Sequence, residues 1–272
     1  MTDDEFNEYR DIAPKFNEFN EKYKDHKSME NFARDKAITM VYCSNKLEDT
    51  LPKGVESGET IKILLNAEFN TEDTENIEPW NADGDGLASR CQLVQHWRAY
   101  YFLNSQETLT MDAIKKTHHI LMNGAVSSKG DKISNGKLRK ISVNNGADTY
   151  ISHEDVPIRF KELIDWYTTK VEETDPVKVA TELFHRFVVI HPFEDGNGRI
   201  GRLLVTYHLQ HSGTPFPVII SSGKTKSRTH YRKAIQKADR VTINAQSELC
   251  TLINYSVFLG WRNFLRNIKY SD

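Results

Sequence analysis

The sequence predicts a mainly α-helical fold, a helical bundle with one short β-hairpin. Apolar residues recur at helical spacing over most of the chain, which is the main signal for amphipathic helices. Asp175-Pro176 reads as a cap and a first-turn proline that open a strongly apolar segment. Around Asn145-Gly146, apolar and polar residues alternate instead, which is typical of a hairpin. The helical signal dominates, so strands form only a small part of the predicted fold.

The N-terminal part of the chain is predicted to be helical and then loop-rich. Residues 1–30 are polar with scattered aromatic residues, which indicates a helical arm rather than a separate domain. From Met29 to Leu47 one helical face stays small or apolar, which predicts a helix. The segment 49–86 mixes Gly, Pro, Glu and Asn and predicts loops, with a helix near 59–66.

The central part contains two predicted helices and the hairpin. Helices are expected over 87–103 and 111–122, the second with Asp112 in its first turn, where a carboxylate suits the helix dipole. The hairpin falls within 136–153.

The C-terminal part is again predicted to be helical. The segment opened by Pro176 should end at His191, because Pro192 disfavours the α conformation of the residue before it. Further helices are expected over 199–212, 227–239 and 247–267.

The composition of the whole chain argues against several classes of protein. With 272 residues, 27% charged residues and a net charge of −2, the chain has no basic field that would indicate nucleic-acid binding. Apolar runs are far shorter than the roughly 20 residues of a membrane span. The acidic N-terminus does not resemble a secretory signal, and three separated cysteines fit no disulfide framework. We therefore expect a cytoplasmic protein with no nucleic-acid or membrane partner.

The stretch HPFEDGNGRIGR, residues 191–202, carries the strongest chemical signal. Gly196 and Gly198 precede a predicted helix and allow successive backbone N–H groups to converge on one anion. Arg199 and Arg202 are three positions apart and so share a helix face, from which forked donors could reach phosphates. A hairpin turn at Asn197-Gly198 or a solvated arginine pair would be the alternative interpretations.

Two further residues of this stretch complete a reaction site. Polyphosphates normally bring Mg²⁺, and Asp195 offers a carboxylate oxygen directly before the glycines. His191, at the opposite end of the turn, is a natural general base, although a purely structural histidine is the ordinary alternative. The residues together predict phosphoryl or nucleotidyl transfer to a hydroxyl.

The same stretch resembles the signature of Fic-domain proteins, H-x-F-x-(D/E)-G-N-G-R-x-x-R, at every fixed position. A weaker resemblance extends from about residue 32 to residue 268. It implies a Fic fold and transfer of AMP from ATP to a Ser, Thr or Tyr hydroxyl of a protein, with release of pyrophosphate. The individual roles implied are His191 as base, Asp195 as Mg²⁺ ligand, Asn197 with the Gly196 and Gly198 amides as phosphate-positioning groups, Arg199 and Arg202 as ligands of the β and γ phosphates, and Phe193 as the core anchor of the loop.

A second stretch, SNKLED at 44–49, resembles the inhibitory motif (S/T)-x-x-x-E-(G/N) of this family. It lies N-terminal to the core, as in the class whose members carry their own inhibitory helix, here about 31–48. In that class the glutamate pairs with the second arginine of the signature, so the resemblance implies a Glu48–Arg202 pair, with Ser44 on the same helix face. The departure is Asp49 in place of Gly or Asn, which puts autoinhibition in doubt.

Two resemblances concern the surroundings of the loop. The hairpin of 136–153 is similar to the family's flap, which aligns a target segment, and Arg139 lies at the start of its first strand. Tyr231 matches an aromatic residue of the nucleotide pocket, where it would stack near the adenine. Asp239 stands where relatives often have asparagine, which weakens the preference for ATP over other nucleotides.

The sequence as a whole predicts an arm of residues 1–30 and a Fic domain of residues 31–272 with an adenylyltransferase site restrained by Glu48. Two alternatives stay open: removal of AMP with Glu48 activating water, and a regulator that binds ATP without turnover. The protein partner is a target with a hydroxyl side chain. The arm could dock that target, pack on the domain or mediate a homodimer.

Overall fold

The computed structural model describes residues 3–51, 56–58, 60, 85–125, 133–145, 148–173, 175–238 and 247–269. Most of the helix predicted near 59–66 and the residue Asp239 lie outside these ranges. None of the helices within them is both long and apolar enough to cross a membrane.

Five helices form the first part of the described chain. They are α1 (Asp3–Ile12), α2 (Phe16–Tyr23), α3 (Met29–Leu47), α4 (Asp85–Asn104) and α5 (Met111–Met122), with a 3₁₀ turn at Ala13–Lys15 between α1 and α2. The predicted bounds of α5 are confirmed, and its N-cap is Thr110, whose side-chain oxygen accepts the Ala113 N–H at 3.0 Å.

Two short strands and five helices follow. The strands are β1 (Asn144–Asn145) and β2 (Asp148–Thr149), and the helices are α6 (Val156–Lys170), α7 (Pro176–Ile190), α8 (Asn197–His211), α9 (Thr225–Ala238) and α10 (Glu248–Lys269). Asp175 caps α7 as predicted, because its carboxylate accepts the Lys178 N–H at 3.0 Å. The mainly helical architecture is confirmed.

The hairpin is much smaller than the predicted flap. Its strands pair antiparallel at two positions, Asn144 with Thr149 and Asn145 with Asp148, and the rest of 136–153 that the structure describes is not strand. One reason lies at Arg139, whose backbone N–H donates to the Pro192 carbonyl at 2.9 Å instead of across the hairpin. A flap of the length expected is not shown.

Two clusters of buried apolar side chains hold the helices together. The first joins α3, α4, α5, α6, α7 and α8, with Trp97, Phe160 and Phe187 among its fully buried rings. The second joins α3 and α7 to α8, α9 and α10, around Phe216 and Trp261. Because α3, α7 and α8 contribute to both clusters, the turn between α7 and α8 is fixed from two sides.

The described part of the N-terminal arm packs on α10. Tyr9 meets Phe258 edge-on at 5.3 Å between ring centroids, and Phe19 lies 5.5 Å from Trp261. Glu8 forms an ion pair with Arg266 at 2.6 Å. Of the three roles considered for the arm, packing on the domain is therefore the one that this conformation displays.

Replacement of Phe19 tests the energetic weight of this packing. We expect Phe19→Ala to lower the free energy of unfolding by about 1–3 kcal/mol, because it removes a half-buried ring from Trp261. Asn17→Ala, an exposed change on the same helix, should stay within about 0.5 kcal/mol of the parent. Urea unfolding followed by tryptophan fluorescence measures the free energy of unfolding of both variants. An equal loss in the two would show that the Phe19–Trp261 contact adds nothing to stability.

Candidate active site

The turn between α7 and α8 reverses the chain and carries the predicted site residues. Helix α7 ends at Ile190, and His191 caps it in the left-handed conformation (φ 49°, ψ 60°), with its N–H donating to the Phe187 carbonyl at 3.0 Å. The predicted stop before Pro192 is confirmed. Helix α8 begins at Asn197, two residues before the predicted Arg199.

Asn197 closes this turn. Its side-chain oxygen accepts the Phe193 N–H at 3.0 Å, and its side-chain nitrogen donates to the Phe193 carbonyl at 2.8 Å. Phe193 is 0% exposed, so the expected anchoring of the loop in the core is observed. The side chain of Asn197 is engaged within the loop, and the expectation that it would position phosphates is corrected to its backbone N–H alone.

His118 of α5 packs against the turn from the protein interior. Its ring stacks on Phe193 at 3.8 Å between centroids, its Nδ1 accepts the Gly136 N–H at 2.8 Å, and its Nε2 lies 3.0 Å from the Asp195 carbonyl. These partners assign the proton to Nε2 and require a neutral ring. Burial lowers the pKa of His118 to about 3, which keeps the ring neutral. No motif in the sequence connects His118 with the site.

The start of α8 offers open backbone donors. Gly196 adopts the left-handed conformation (φ 76°) that glycine favours, and the first helical bond of α8 runs from the Ile200 N–H to the Gly196 carbonyl at 3.0 Å. The N–H groups of residues 197–199 therefore lack partners within the helix and lie at the positive end of its dipole. This is the predicted anion-binding geometry.

Arg199 is buried beside this helix start. Its guanidinium donates to Gln92 Oε1 at 2.9 Å and contacts Met122 Sδ at 3.1 Å, while Asp195 lies 3.8 Å away. Its Nε has no hydrogen-bond partner within the described residues. A buried cation with an unused donor is suited to a strong anionic ligand.

Arg202 is the centre of a buried cluster that joins α3, α8 and α9. Its Nε donates to Ser44 Oγ at 2.8 Å, its Nη1 to the Tyr231 hydroxyl at 3.1 Å, and its Nη2 to Glu48 Oε1 at 2.7 Å. The resemblance to the inhibitory motif paired Glu48 with Arg202 and placed Ser44 on the same helix face. In the structure both side chains contact Arg202.

Glu48 lies over the start of α8. A Cβ at Gly198 would come within 2.5 Å of Glu48 Oε1, so only glycine at this position lets the carboxylate approach so closely. Burial acts to raise the pKa of Glu48, but the Arg202 guanidinium outweighs it and holds the pKa below its usual value. The carboxylate is therefore charged at neutral pH. Its side chain is 36% exposed.

Asp49 stands where the inhibitory motif has Gly or Asn, and its backbone conformation explains why the motif has those residues. Its φ is 55°, in the left-handed region that Gly and Asn adopt readily and Asp adopts more easily than most other residues. Its carboxylate accepts two hydrogen bonds from Arg228, both at 2.7 Å, and Arg228 also donates to the Lys46 carbonyl at 2.6 Å. Aspartate at this position is thus compatible with the end of α3.

Tyr231 has a different place from the one expected. Its ring is 5% exposed, its hydroxyl accepts the hydrogen bond from Arg202, and its ring packs near Phe184. The ring supports Arg202 in this conformation and presents no open face for stacking on a base. The expectation of an adenine-stacking residue is corrected accordingly.

His191 is held as a neutral base. Its Nδ1 lies 3.2 Å from the Val188 carbonyl, which assigns the ring proton to Nδ1 and leaves the lone pair on Nε2. Tyr150, the residue after β2, stacks on the imidazole at 3.8 Å between centroids. Burial lowers the pKa of His191 to about 4, so the imidazole is neutral at neutral pH.

Arg139, predicted from the sequence as a residue of the flap, lies inside the protein. It is 2% exposed, and its guanidinium donates to the carbonyls of His191 at 2.7 Å, Ile141 at 2.9 Å and Ile151 at 2.6 Å. One buried cation thus joins the end of α7 to both flanks of the hairpin. The side chain of Arg139 therefore faces the interior of the protein.

Asp195 is the residue that fits a metal ion. Its side chain is 58% exposed, one oxygen accepts the Gly196 N–H at 2.6 Å, and the other faces Arg199. Within the described ranges, no group of three or more His, Cys, Asp or Glu side chains could hold a metal ion. A single exposed carboxylate fits Mg²⁺, which is commonly held by one or two carboxylates together with substrate phosphates.

The structure is that of a helical protein in which one turn carries a buried, neutral histidine and a helix start without a side-chain cap. The Fic/DOC family matches residues 108–209. A Fido domain-containing protein from Dictyostelium discoideum is 35% identical over 148 residues, covering 52% of this chain and 99% of that protein. The chain belongs to the Fic/Doc family.

Further relatives are longer proteins. Protein adenylyltransferase fic-1 from Caenorhabditis elegans is 31% identical over 163 residues, which cover 57% of this chain and 30% of that protein. Among solved structures, residues 134–508 of Fic-1 from C. elegans superpose with a TM-score of 0.72 at 19% identity, covering 97% of this chain and 74% of that chain. A Fic domain-containing signaling protein from Bacteroides thetaiotaomicron gives 0.71 at 21% identity, with 93% of each chain covered. These structures share the fold.

The buried histidines predict an acid-sensitive fold. Burial lowers the pKa to about 3 for His118, about 4 for His191 and about 4 for His208, so between pH 6.5 and 4 the unfolded chain binds more protons than the folded one. Stability should fall as the pH falls through this window, by up to about 1.4 kcal/mol per pH unit for each such histidine.

Urea unfolding at several pH values measures this dependence. His208→Gln should flatten it, whereas His119→Gln, an exposed change, should leave it unaltered. The same slope in the parent and in both variants would contradict the burial of a neutral His208.

Proposed function

We propose that the protein is a Mg²⁺-dependent protein adenylyltransferase that transfers AMP from ATP to a Ser, Thr or Tyr hydroxyl of a target protein. The observation that carries the proposal is the turn 191–197, which has the unprotonated Nε2 of a neutral His191 at one end and the free N–H groups of α8 at the other. Base and anion site are thereby held on one short segment. The names of the adenylyltransferase relatives agree with this chemistry.

The reaction assigns one task to each group. His191 takes the proton of the target hydroxyl, whose oxygen bonds to the α-phosphorus of ATP as the bond to the β-phosphate oxygen breaks and pyrophosphate leaves. The start of α8, Arg199 and Arg202 bind the phosphates by hydrogen bonds and charge. Asp195 would hold Mg²⁺, which neutralises phosphate charge when bound.

Glu48 restrains this activity in the proposal. The Arg202 Nη2 that donates to the carboxylate at 2.7 Å is a donor that a terminal phosphate would otherwise take. A charged carboxylate beside Gly198 also repels a phosphate that approaches the start of α8. ATP should therefore bind productively only when Glu48 leaves Arg202.

A second activity, removal of AMP from a modified target, is favoured by the state of the same carboxylate. Glu48 is charged and partly exposed, and Arg202 is bound at its Oε1, so Oε2 would be the oxygen that activates water. Transfer and removal would then use one site in two states of Glu48.

Other parts of the proposal concern partners and location. The target is a protein with a hydroxyl side chain, and a homodimer and a cytoplasmic location stay predictions from the sequence. ATP is the proposed nucleotide, with CTP, GTP and UTP as the comparisons to make in the same assay.

Self-modification gives the first test of transfer. After incubation with Mg²⁺ and ATP, Glu48→Gly protein should gain the mass of one AMP group, and the wild type should gain about tenfold less or none, because its Arg202 stays paired. Glu48→Gly/His191→Ala should gain none, because the base is missing. Intact-mass spectrometry reads all three.

A matched control separates the loss of the carboxylate from the effect of glycine in α3. Glu30→Gly makes the same change at an exposed position near the start of this helix and should behave as the wild type. An AMP adduct on Glu48→Gly/His191→Ala as abundant as on Glu48→Gly would contradict the role of His191. Equal adducts on Glu30→Gly and Glu48→Gly would contradict restraint by Glu48.

The second activity has its own test. Protein that carries AMP is prepared from Glu48→Gly, purified and mixed with a catalytic amount of either wild type or Glu48→Gln. We expect AMP release with the wild type and at least about 100-fold slower release with Glu48→Gln, since the amide cannot accept a proton from water. Release by both at one rate would exclude Glu48 as the group that activates water.

A further inference from the structure

The catalytic histidine has a ring partner that the Fic signature does not contain. Tyr150 directly follows β2, and its ring lies on the imidazole of His191 with 3.8 Å between centroids and an angle of 20° between planes. We propose that Tyr150 is a positioning residue that fixes the orientation of the His191 ring and couples it to the hairpin. This inference rests on the proposed function for its kinetic readout.

The need for such a residue follows from the way His191 is attached. It stands outside α7 in the left-handed conformation, where a residue with a Cβ is strained. Its Nδ1 has one hydrogen-bond partner given by the geometry, the Val188 carbonyl at 3.2 Å, the upper end of the usual range. One such bond leaves the rotation of the imidazole about its Cβ–Cγ bond weakly restrained. A parallel ring against one face removes that freedom, and the direction of the Nε2 lone pair is then set.

The contact between the two rings is built into the backbone. The Ile151 carbonyl, one residue after Tyr150, accepts Arg139 Nη2 at 2.6 Å, and the His191 carbonyl accepts Nε of the same guanidinium at 2.7 Å. Two chain segments that are far apart in the sequence are thus tied to one buried, rigid group. The stack therefore belongs to a fixed arrangement of hairpin and helix end, not to two mobile surface side chains.

The stack also shapes the surroundings of the base. It covers one face of the imidazole, so a target hydroxyl has to reach Nε2 along the ring edge or from the other side. Burial, to which this ring contributes, is the main cause of the lowered pKa of His191, and the charged groups that act on it are Arg139, which lowers the pKa, and Asp195 and Glu48, which raise it. Loss of the Tyr150 ring should therefore shift the pKa of His191 upward from about 4.

Coupling to the hairpin follows from the position of Tyr150 beside β2. A target segment that docks wrongly and displaces β2 also displaces the Tyr150 ring, and His191 then loses its support. Correct docking at the hairpin and correct orientation of the base would be one event. This gives the hairpin a part in the chemistry as well as in recognition.

The experiment compares Tyr150→Phe, which keeps the ring, with Tyr150→Ala, which removes it, both in the Glu48→Gly background. We expect Tyr150→Phe to retain self-modification within about twofold and Tyr150→Ala to lose about tenfold or more in rate at saturating ATP, with the KM for ATP unchanged. Tyr101→Ala, an exposed aromatic residue of α4, is the matched control and should keep the parental rate. Circular dichroism melting verifies that each variant is folded.

A second readout does not depend on turnover. The pKa of His191, measured by NMR of the labelled imidazole, should rise in Tyr150→Ala and stay unchanged in Tyr150→Phe and Tyr101→Ala. An unchanged His191 pKa together with an unchanged rate in Tyr150→Ala would overturn the proposal. If Glu48→Gly itself forms no AMP adduct, the proposed function fails, while the titration still decides whether Tyr150 holds the ring.

Discussion

Asn197 closes the turn between α7 and α8 with two hydrogen bonds to the backbone of Phe193. The closure fixes the distance between the end of one helix and the start of the next, and the two ends have opposite chemical properties. The end of α7 presents a histidine whose Nε2 carries the lone pair, and the start of α8 presents N–H groups that have no partner within the helix. Because Phe193 is fully buried and stacks on His118, the turn is also held from the core side. The proposed base and the proposed phosphate site are consequently parts of one rigid element.

Three buried guanidinium groups surround this element, and each is compensated differently. Arg139 is bound by backbone carbonyls, two of them at the C-terminal end of α7, where a helix dipole favours a cation. Arg202 is bound by a hydroxyl from each of two helices and by the Glu48 carboxylate. Arg199 is less completely compensated, since within the described residues its Nε has no acceptor. A buried charge without full pairing costs free energy unless a ligand completes it, which is the physical reason to regard Arg199 as a phosphate ligand.

The sequence predicts what is encoded locally. Helix α5, the cap at Asp175 and the stop at His191 follow from short-range patterns, and the spacing of His191, Asp195 and Arg202 suffices to predict the chemistry. Residues whose roles depend on contacts between distant segments could not be placed. Arg139 meets His191 across more than fifty positions, and His118 meets Asp195 across more than seventy. From the sequence Arg139 is predicted only as a residue of the hairpin, and these contacts are not foreseen, because buried polar residues are specified by partners that only the fold brings near.

Asp49 is an intermediate case, since a physical signal was present in the sequence. The family motif allows Gly or Asn at this position, and both tolerate a positive φ, a property that Asp shares. The departure from the motif therefore keeps the conformational requirement. Asn197 shows the opposite difficulty: its place in the signature is visible in the sequence, but whether its amide faces a ligand or the loop is decided by hydrogen bonds that the signature does not contain.

The bonds that hold Arg202 bear on the proposed change between a restrained and an active state. Ser44 and Tyr231 bind the guanidinium at Nε and Nη1, independently of Glu48, which is bound at Nη2. Rotation of the Glu48 side chain would leave the cation where it is, because two partners remain. The transition then amounts to exchange of one anion for another at a stationary charge, with little reorganisation of the core around it. In the proposed function, such an exchange would depend on the concentration and charge of the anion that competes with Glu48 for Arg202.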